Sequence, residues 1–400
     1  MTRRFMRLIA IAAALGLVAG GAASARQPRS NSLQGEGEGL KLIKNIPWGT
    51  GTDMEVVTIK GRDYLIGTSR EAANEGGGVH IVDVTNPAKA KEIAVLPCVL
   101  SQGDIQISHD KKTVLMAADS AGGPDGCTGI GKLGFMTIDI SNIRKPRAVG
   151  FAEIPRGSHN ITAHPKKPFV YNSDSELTVN GEIQIWSIKN PRKPKLVNTV
   201  PSQPHSPHDI SFNKKGDMAV TAAISHFDLF DTSDPANPEL LFTSQCPGCS
   251  ITHDAKFTPD GTHLFIGDEG GGGAPYPCPG GALYAYQMQG TTPVLTGAYE
   301  PGEVAATSAG PGACTAHVFE ITPDSKRMAI SWYTAGTRYL DISNPAGPTF
   351  GPAGTGIQEL GWFIPEGADS WSSKFSTNGK YIFSNDIVRG LDIYKITAEE

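Results

Sequence analysis

Short apolar runs separated by tight-turn residues recur along nearly the whole chain, and amphipathic helical periodicity is almost absent. In one stretch the runs fall at 238–244, 254–257, 262–267 and 282–286. Each is four to seven residues long and bounded by Pro-Asp-Gly, Asn-Pro or Gly-rich turns. The set repeats every 45 to 64 residues. Its third run often ends in one turn type: Asp83-VTNP, Asp139-ISNI, Asp231-TSDP and Asp341-ISNP. Four strands per unit at this period predict a β-propeller.

The copies are phased by their first strand. HNITAHPKK from His159, HDISFNKKG from His208, HDAKFTPDG from His253 and HVFEITPDS from His317 place a histidine eight positions before a turn residue. Asp53 to Gly61, Asp104 to Lys112 and Trp371 to Gly379 fit the same ruler, giving seven blades. The last copy stops at its third strand, 391–396, and the run 40–47 resembles the missing fourth strands. The expected fold class is therefore all-β, a seven-bladed β-propeller whose last blade is closed by the N-terminal strand. Such closure removes an exposed edge.

VHIVDVTNP from Val79, FMTIDIS from Phe135, TRYLDISNP from Thr337 and LDIYKI from Leu391 resemble the LVIVD-repeat propellers, exported bacterial and archaeal proteins. The resemblance spans residues 40–400 and implies a propeller fold and an extracytoplasmic setting. It implies no particular activity, because fold does not fix function.

Glycine (47) and proline (29) make about a fifth of the 400 residues, against roughly 12% in an average chain, as a turn-rich ordered fold requires. Residues 1–25 read as a signal peptide: Arg3, Arg4 and Arg7, an apolar stretch 8–19, then Ala23-Ser24-Ala25. The Thr2-Arg3-Arg4 start partly matches a twin-arginine signal. Residues 26–39 read as a flexible leader and 40–400 as one propeller domain. The product is expected in the periplasm or outside the cell, as a monomer. The formal charge of −5 argues against a nucleic-acid partner, and beyond the signal no run is long and apolar enough to span a membrane.

In a radial array the histidine slot becomes a ring beside the axis, on the face that carries the long connections 120–132, 269–280 and 302–315. His159, His208, His253 and His317 are the candidate metal ligands. Neutral imidazoles suit iron, copper or zinc rather than calcium or magnesium. The carotenoid-cleaving oxygenases hold iron with four histidines at a propeller axis, and the text from Ile330 is distantly similar to selenium-binding proteins. Both are likenesses of architecture. Seven positions after each turn stand Thr68, Asp119, Asp174, Ala223, Asp268, Trp332 and Asp386, an outer ring suited to orienting the imidazoles. Asp268, Glu269 and Asp174 are the candidate acid/base groups. Arg70, Trp332, Trp371 and Arg389, with Tyr333, are candidate substrate contacts at the mouth, and His205 is a candidate fifth ligand. The competing reading has the histidines merely plugging the channel, in a non-catalytic platform for an extracytoplasmic protein partner rather than a small-molecule ligand.

Six cysteines in an exported chain imply disulfides. Equivalent loops suggest Cys98–Cys127, a bond from Cys246 or Cys249 to Cys278, and Cys314 with the remaining cysteine.

Overall fold

A computed structural model describes residues 32–398, except 101, 120–131, 176–180, 303–309 and 348–353. Seven antiparallel sheets form the blades, each a four-strand meander. Their inner strands, from blade 1 to blade 7, are Gly51–Ile59, Ile105–Ile107, Asn160–Ala163, Asp209–Phe212, Thr252–Phe257, Phe319–Ile321 and Ser370–Phe375. Two single-turn 3₁₀ segments are the only helix among the described residues.

The second strands show why apolar runs dominate the pattern. Thr113–Ala118 is buried along its whole length. Val114 and Met116 pack toward blade 1 with Ile66 and Ile81, while Leu115 and Ala117 pack toward blade 3 with Ile161 and Val170. A strand sandwiched between neighbouring sheets buries both of its faces, so alternation gives way to a continuous apolar run.

Blade 7 is closed as expected. Leu40–Ile46 pairs antiparallel with Gly390–Ile396, from Leu40 opposite Ile396 to Ile46 opposite Leu391, and it buries Leu40 and Leu42. The leader, however, is structured where it is described. Gly35–Glu38 adds a fifth strand to blade 6, with Glu36 opposite Ile364. Glycine makes this approach possible: a Cβ on Gly37 would lie 2.4 Å from the Phe363 ring. An outermost strand offers unpaired backbone groups, and the Gly-Glu-Gly-Glu text covers them while its glutamates stay exposed.

Carboxylates tie the inner strands together around the axis. Asp53 accepts the Ile105 N–H (3.2 Å), Asp104 that of Ile161 (2.8 Å) and Asp254 that of Phe319 (3.2 Å), each across a blade boundary. With Glu55, Asp209, Glu320, Lys256 and Lys374, two of them line an axial cavity of about 310 Å³.

Candidate metal centre

The slot is set by the hairpin that follows it. Turn-closing backbone bonds run from His164 to Phe169, Asn213 to Met218, Thr258 to His263, Thr322 to Arg327 and Ser376 to Tyr381. Each donor lies five residues after His159, His208, His253, His317 or Trp371. In blade 2 the equivalent donor is Ser108, and the left-handed turn residue is Lys111 (φ 57°), not Lys112. The slot residue there is Gly103, and in blade 1 the tighter Ile59–Arg62 hairpin puts Thr52 in that place. Asp53 and Asp104 are therefore one register on, in the ring that bridges the blades. Thr52 instead bonds Thr68 at 2.8 Å.

The four histidines meet. Ring centres are 4.3 Å apart for His159–His208, 4.0 Å for His208–His253 and 4.2 Å for His253–His317. Trp371 continues the arc at 4.4 Å from His317. His208, His253 and His317 are buried, and His159 is partly exposed. The arc ends at Gln102, whose amide nitrogen lies 3.1 Å from His159 Nε2.

Glu269, just past the second strand of blade 5, enters this arc. Its carboxylate oxygens lie 3.6 Å from His253 Nε2 and 3.7 Å from His317 Nε2, too far for a hydrogen bond. The Tyr333 hydroxyl donates to Oε1. His317 Nδ1 is 2.5 Å from the Trp371 carbonyl. A carbonyl can only accept, so Nδ1 carries the proton and Nε2 keeps its lone pair. That Nε2 is buried with no hydrogen-bond partner, as is His253 Nδ1. Donor atoms of His208, His253 and Glu269 all fall within 4.8 Å of one another. Ligands in a tetrahedral zinc site with bonds near 2.0–2.1 Å stand roughly 3.4 Å apart, so a small contraction would bring this trio to bonding distance.

Electrostatics favour the same use. Burial, and then the neighbouring imidazoles, push His208 and His253 well below the ordinary histidine range. Burial lowers His317 to about 3. These rings are neutral at pH 7, the form that binds metal. Burial raises Glu269 to about 7, against the opposing hydrogen bond from Tyr333. A cation in the gap would relieve that desolvation cost.

The remaining expected residues divide. His159 Nδ1 is 2.9 Å from Asp119 Oδ2, the orienting role foreseen for the outer carboxylates. At the other end, His159 Nε2 is 2.8 Å from His208 Nε2, within hydrogen-bond distance. Asp268 faces its own loop, accepting the N–H of Ser250 and of Ile251 at 2.8 Å each. Asp174 pairs with Arg156 at 2.7 Å. Neither reaches the cluster. Trp332 does not line the mouth either: it is fully buried and packs on Tyr299. Arg389 is also fully buried, held by Asp392 at 2.7 Å and by the carbonyls of Glu366 and Ser32. His205 bonds Ser225 at 2.9 Å, apart from the ring. Arg70 and Trp371 do lie at the site, with the guanidinium 5.1 Å from the indole centre.

Gln102 went unforeseen, since nothing in its surroundings marks it. It and Tyr333 share left-handed backbones, at φ 66° and 45°, and non-glycine residues in that region concentrate at functional sites.

The disulfides differ from the expected pairing. Cys246 bonds Cys249, and Cys278 bonds Cys314, with Cα atoms 5.4 and 5.2 Å apart. The Cys-Pro-Gly-Cys turn, closed by the Cys249 N–H on the Cys246 carbonyl, brings its own two sulfurs together. Cys98 is disulfide-bonded, and Cys127 lies outside the described residues. Cys278–Cys314 ties the loop after Glu269 to the segment entering His317.

Comparison with known proteins adds the fold. A functionally unknown protein from Desulfotomaculum acetoxidans is 15% identical, with a TM-score of 0.57 over 78% of this chain and 90% of its own. The Cps50 (Swd1) β-propeller domain of Myceliophteria thermophila is 11% identical, with a TM-score of 0.61 over 88% and 99%. Hydrazine synthase of Kuenenia stuttgartiensis is 12% identical, with a TM-score of 0.60 over 84% and 93%. No family model matches the sequence, and no curated protein matches it in sequence. The class these observations define is a seven-bladed β-propeller carrying a buried histidine–glutamate cluster able to hold a metal ion. No helix among the described residues is long and apolar enough to cross a membrane.

Proposed function

We propose that this protein is an exported propeller of the LVIVD type that binds one transition-metal ion through His208, His253 and Glu269, with His317 as a fourth donor. The observation that carries the reading is the gap itself. A buried carboxylate faces two imidazole nitrogens at 3.6 and 3.7 Å, beyond hydrogen bonding, beside nitrogens that have no other partner. A nitrogen-rich set with one carboxylate suits zinc, iron or copper. Disulfides in two pairs and the basic, apolar N-terminus support an extracytoplasmic location.

The bound ion would supply Lewis acidity or an activated water. Around it, the Trp371 carbonyl holds His317 in one tautomer, Tyr333 orients Glu269 and Asp119 orients His159. His159 is the most exposed histidine of the arc.

Elemental analysis after reconstitution with zinc, iron(II) or copper(II) tests this. One equivalent of metal is expected in the wild type. His253→Ala and Glu269→Gln should each weaken binding at least tenfold, the scale expected for losing a ligand or its support. Absence of stoichiometric metal, with melting unchanged by these substitutions, would leave the partner-binding platform instead.

A further inference from the structure

Arg70 follows the second strand of blade 1, and its N–H on the Thr50 carbonyl (2.7 Å) anchors it. Its guanidinium lies over the indole of Trp371, 5.1 Å from the ring centre, and the same indole touches His317 at 4.4 Å. Three other buried or half-buried arginines have partners. Arg389 holds Asp392 and two carbonyls, Arg338 holds Glu359 and the Ala335 carbonyl, and Arg156 holds Asp174 and Glu182. Arg70 is different. Its Nε is buried with no hydrogen-bond partner, as is that of Arg338, but among the described residues the Arg70 side chain makes no ion pair. Asp119 and Asp369 act on it only through space, and Asp119 is already engaged by His159.

A half-buried arginine without an anion forgoes its strongest interactions. Stacking on an aromatic face fixes the guanidinium plane and leaves its N–H edge free. A fixed edge of that kind matches the two oxygens of a carboxylate. Its position beside the histidine arc gives it a purpose, and this part rests on the metal reading above. We propose that Arg70 and Trp371 form an anion seat, and that the ligand of this site is a small carboxylate that Arg70 holds beside the metal.

The test uses full-length protein loaded with cobalt(II), whose visible spectrum reports on the ligand environment, titrated with sodium acetate or inorganic phosphate at constant ionic strength. Acetate should bind saturably and change the spectrum. Arg70→Gln should weaken acetate at least tenfold, and Arg70→Lys by less, with cobalt stoichiometry unchanged in both. Equal acetate affinity in Arg70→Gln, or no saturable binding in the wild type, overturns the proposal. Saturation by phosphate but not by acetate overturns the carboxylate assignment. Failure to load cobalt would count against the metal centre alone. Calorimetric titration of the metal-free protein with acetate would then decide the seat, through the same Arg70→Gln comparison.

Discussion

Neighbouring side chains on one strand end can have opposite fates. Trp332 and Tyr333 are adjacent, yet Trp332 turns into the core between blades and Tyr333 bonds Glu269. Sequence placed both at the mouth, because the end of a second strand is close to the axis in every blade. Which of two consecutive residues faces inward depends on a left-handed backbone at Tyr333, and nothing in the text announces it. Trp332→Ala should cost about 3–5 kcal/mol, the usual range for emptying a buried aromatic site, measured by urea unfolding, and should leave metal stoichiometry intact. Arg389→Ala strands the buried Asp392 and should cost a similar ~3–5 kcal/mol. Had either residue been a ligand contact, the stability loss would be small and the binding loss large. The histidines, by contrast, were legible because the same residue type recurs at one offset from a turn.

At the level of strands and turns, the pattern set the blade count and the closing strand, because apolar runs and Gly or Asn turns are local properties. Register was harder. One extra turn residue separates Lys111 from Lys112, and that step moved the slot of blade 2 from Gly103 to Asp104. Disulfide pairing was harder still, since it depends on where loops lie in space. The Cys278–Cys314 bond closes a loop of 36 residues, and the chain-entropy model assigns such a link about 4 kcal/mol. Replacing both cysteines by serine should lower stability by up to that amount in urea unfolding. It should also weaken metal binding, because the bond joins the approaches to Glu269 and His317. Truncation offers a second comparison. Removing residues 1–34 should leave a folded monomer, whereas removing residues 1–46 should expose the Gly390–Ile396 edge and give aggregates by size-exclusion chromatography.

For the molecule as a whole, the axial cavity makes stability depend on pH. Burial, ahead of the surrounding charges, raises Asp53 to about 6. A carboxyl with a higher pKa in the folded state binds more protons when native. Its stabilising contribution is thus complete in acid and fades as pH rises through about 6. Asp53→Asn keeps an oxygen for the Ile105 N–H and cannot ionise. The variant should therefore gain on the wild type between pH 4.5 and 7, by an amount on the order of 1–3 kcal/mol. Parallel urea titrations at the two pH values measure it, and an unchanged difference would show that folding does not raise the Asp53 pKa.

The ring is sealed by two strands that lie at opposite ends of the polypeptide. Until Gly390–Ile396 has emerged and found Leu40–Ile46, blade 7 is incomplete, and Trp371, whose carbonyl fixes His317, has no settled position. Pairing across so great a span of chain is slow. Capture of the proposed ion should accordingly be among the last events of maturation, after the toroid has shut.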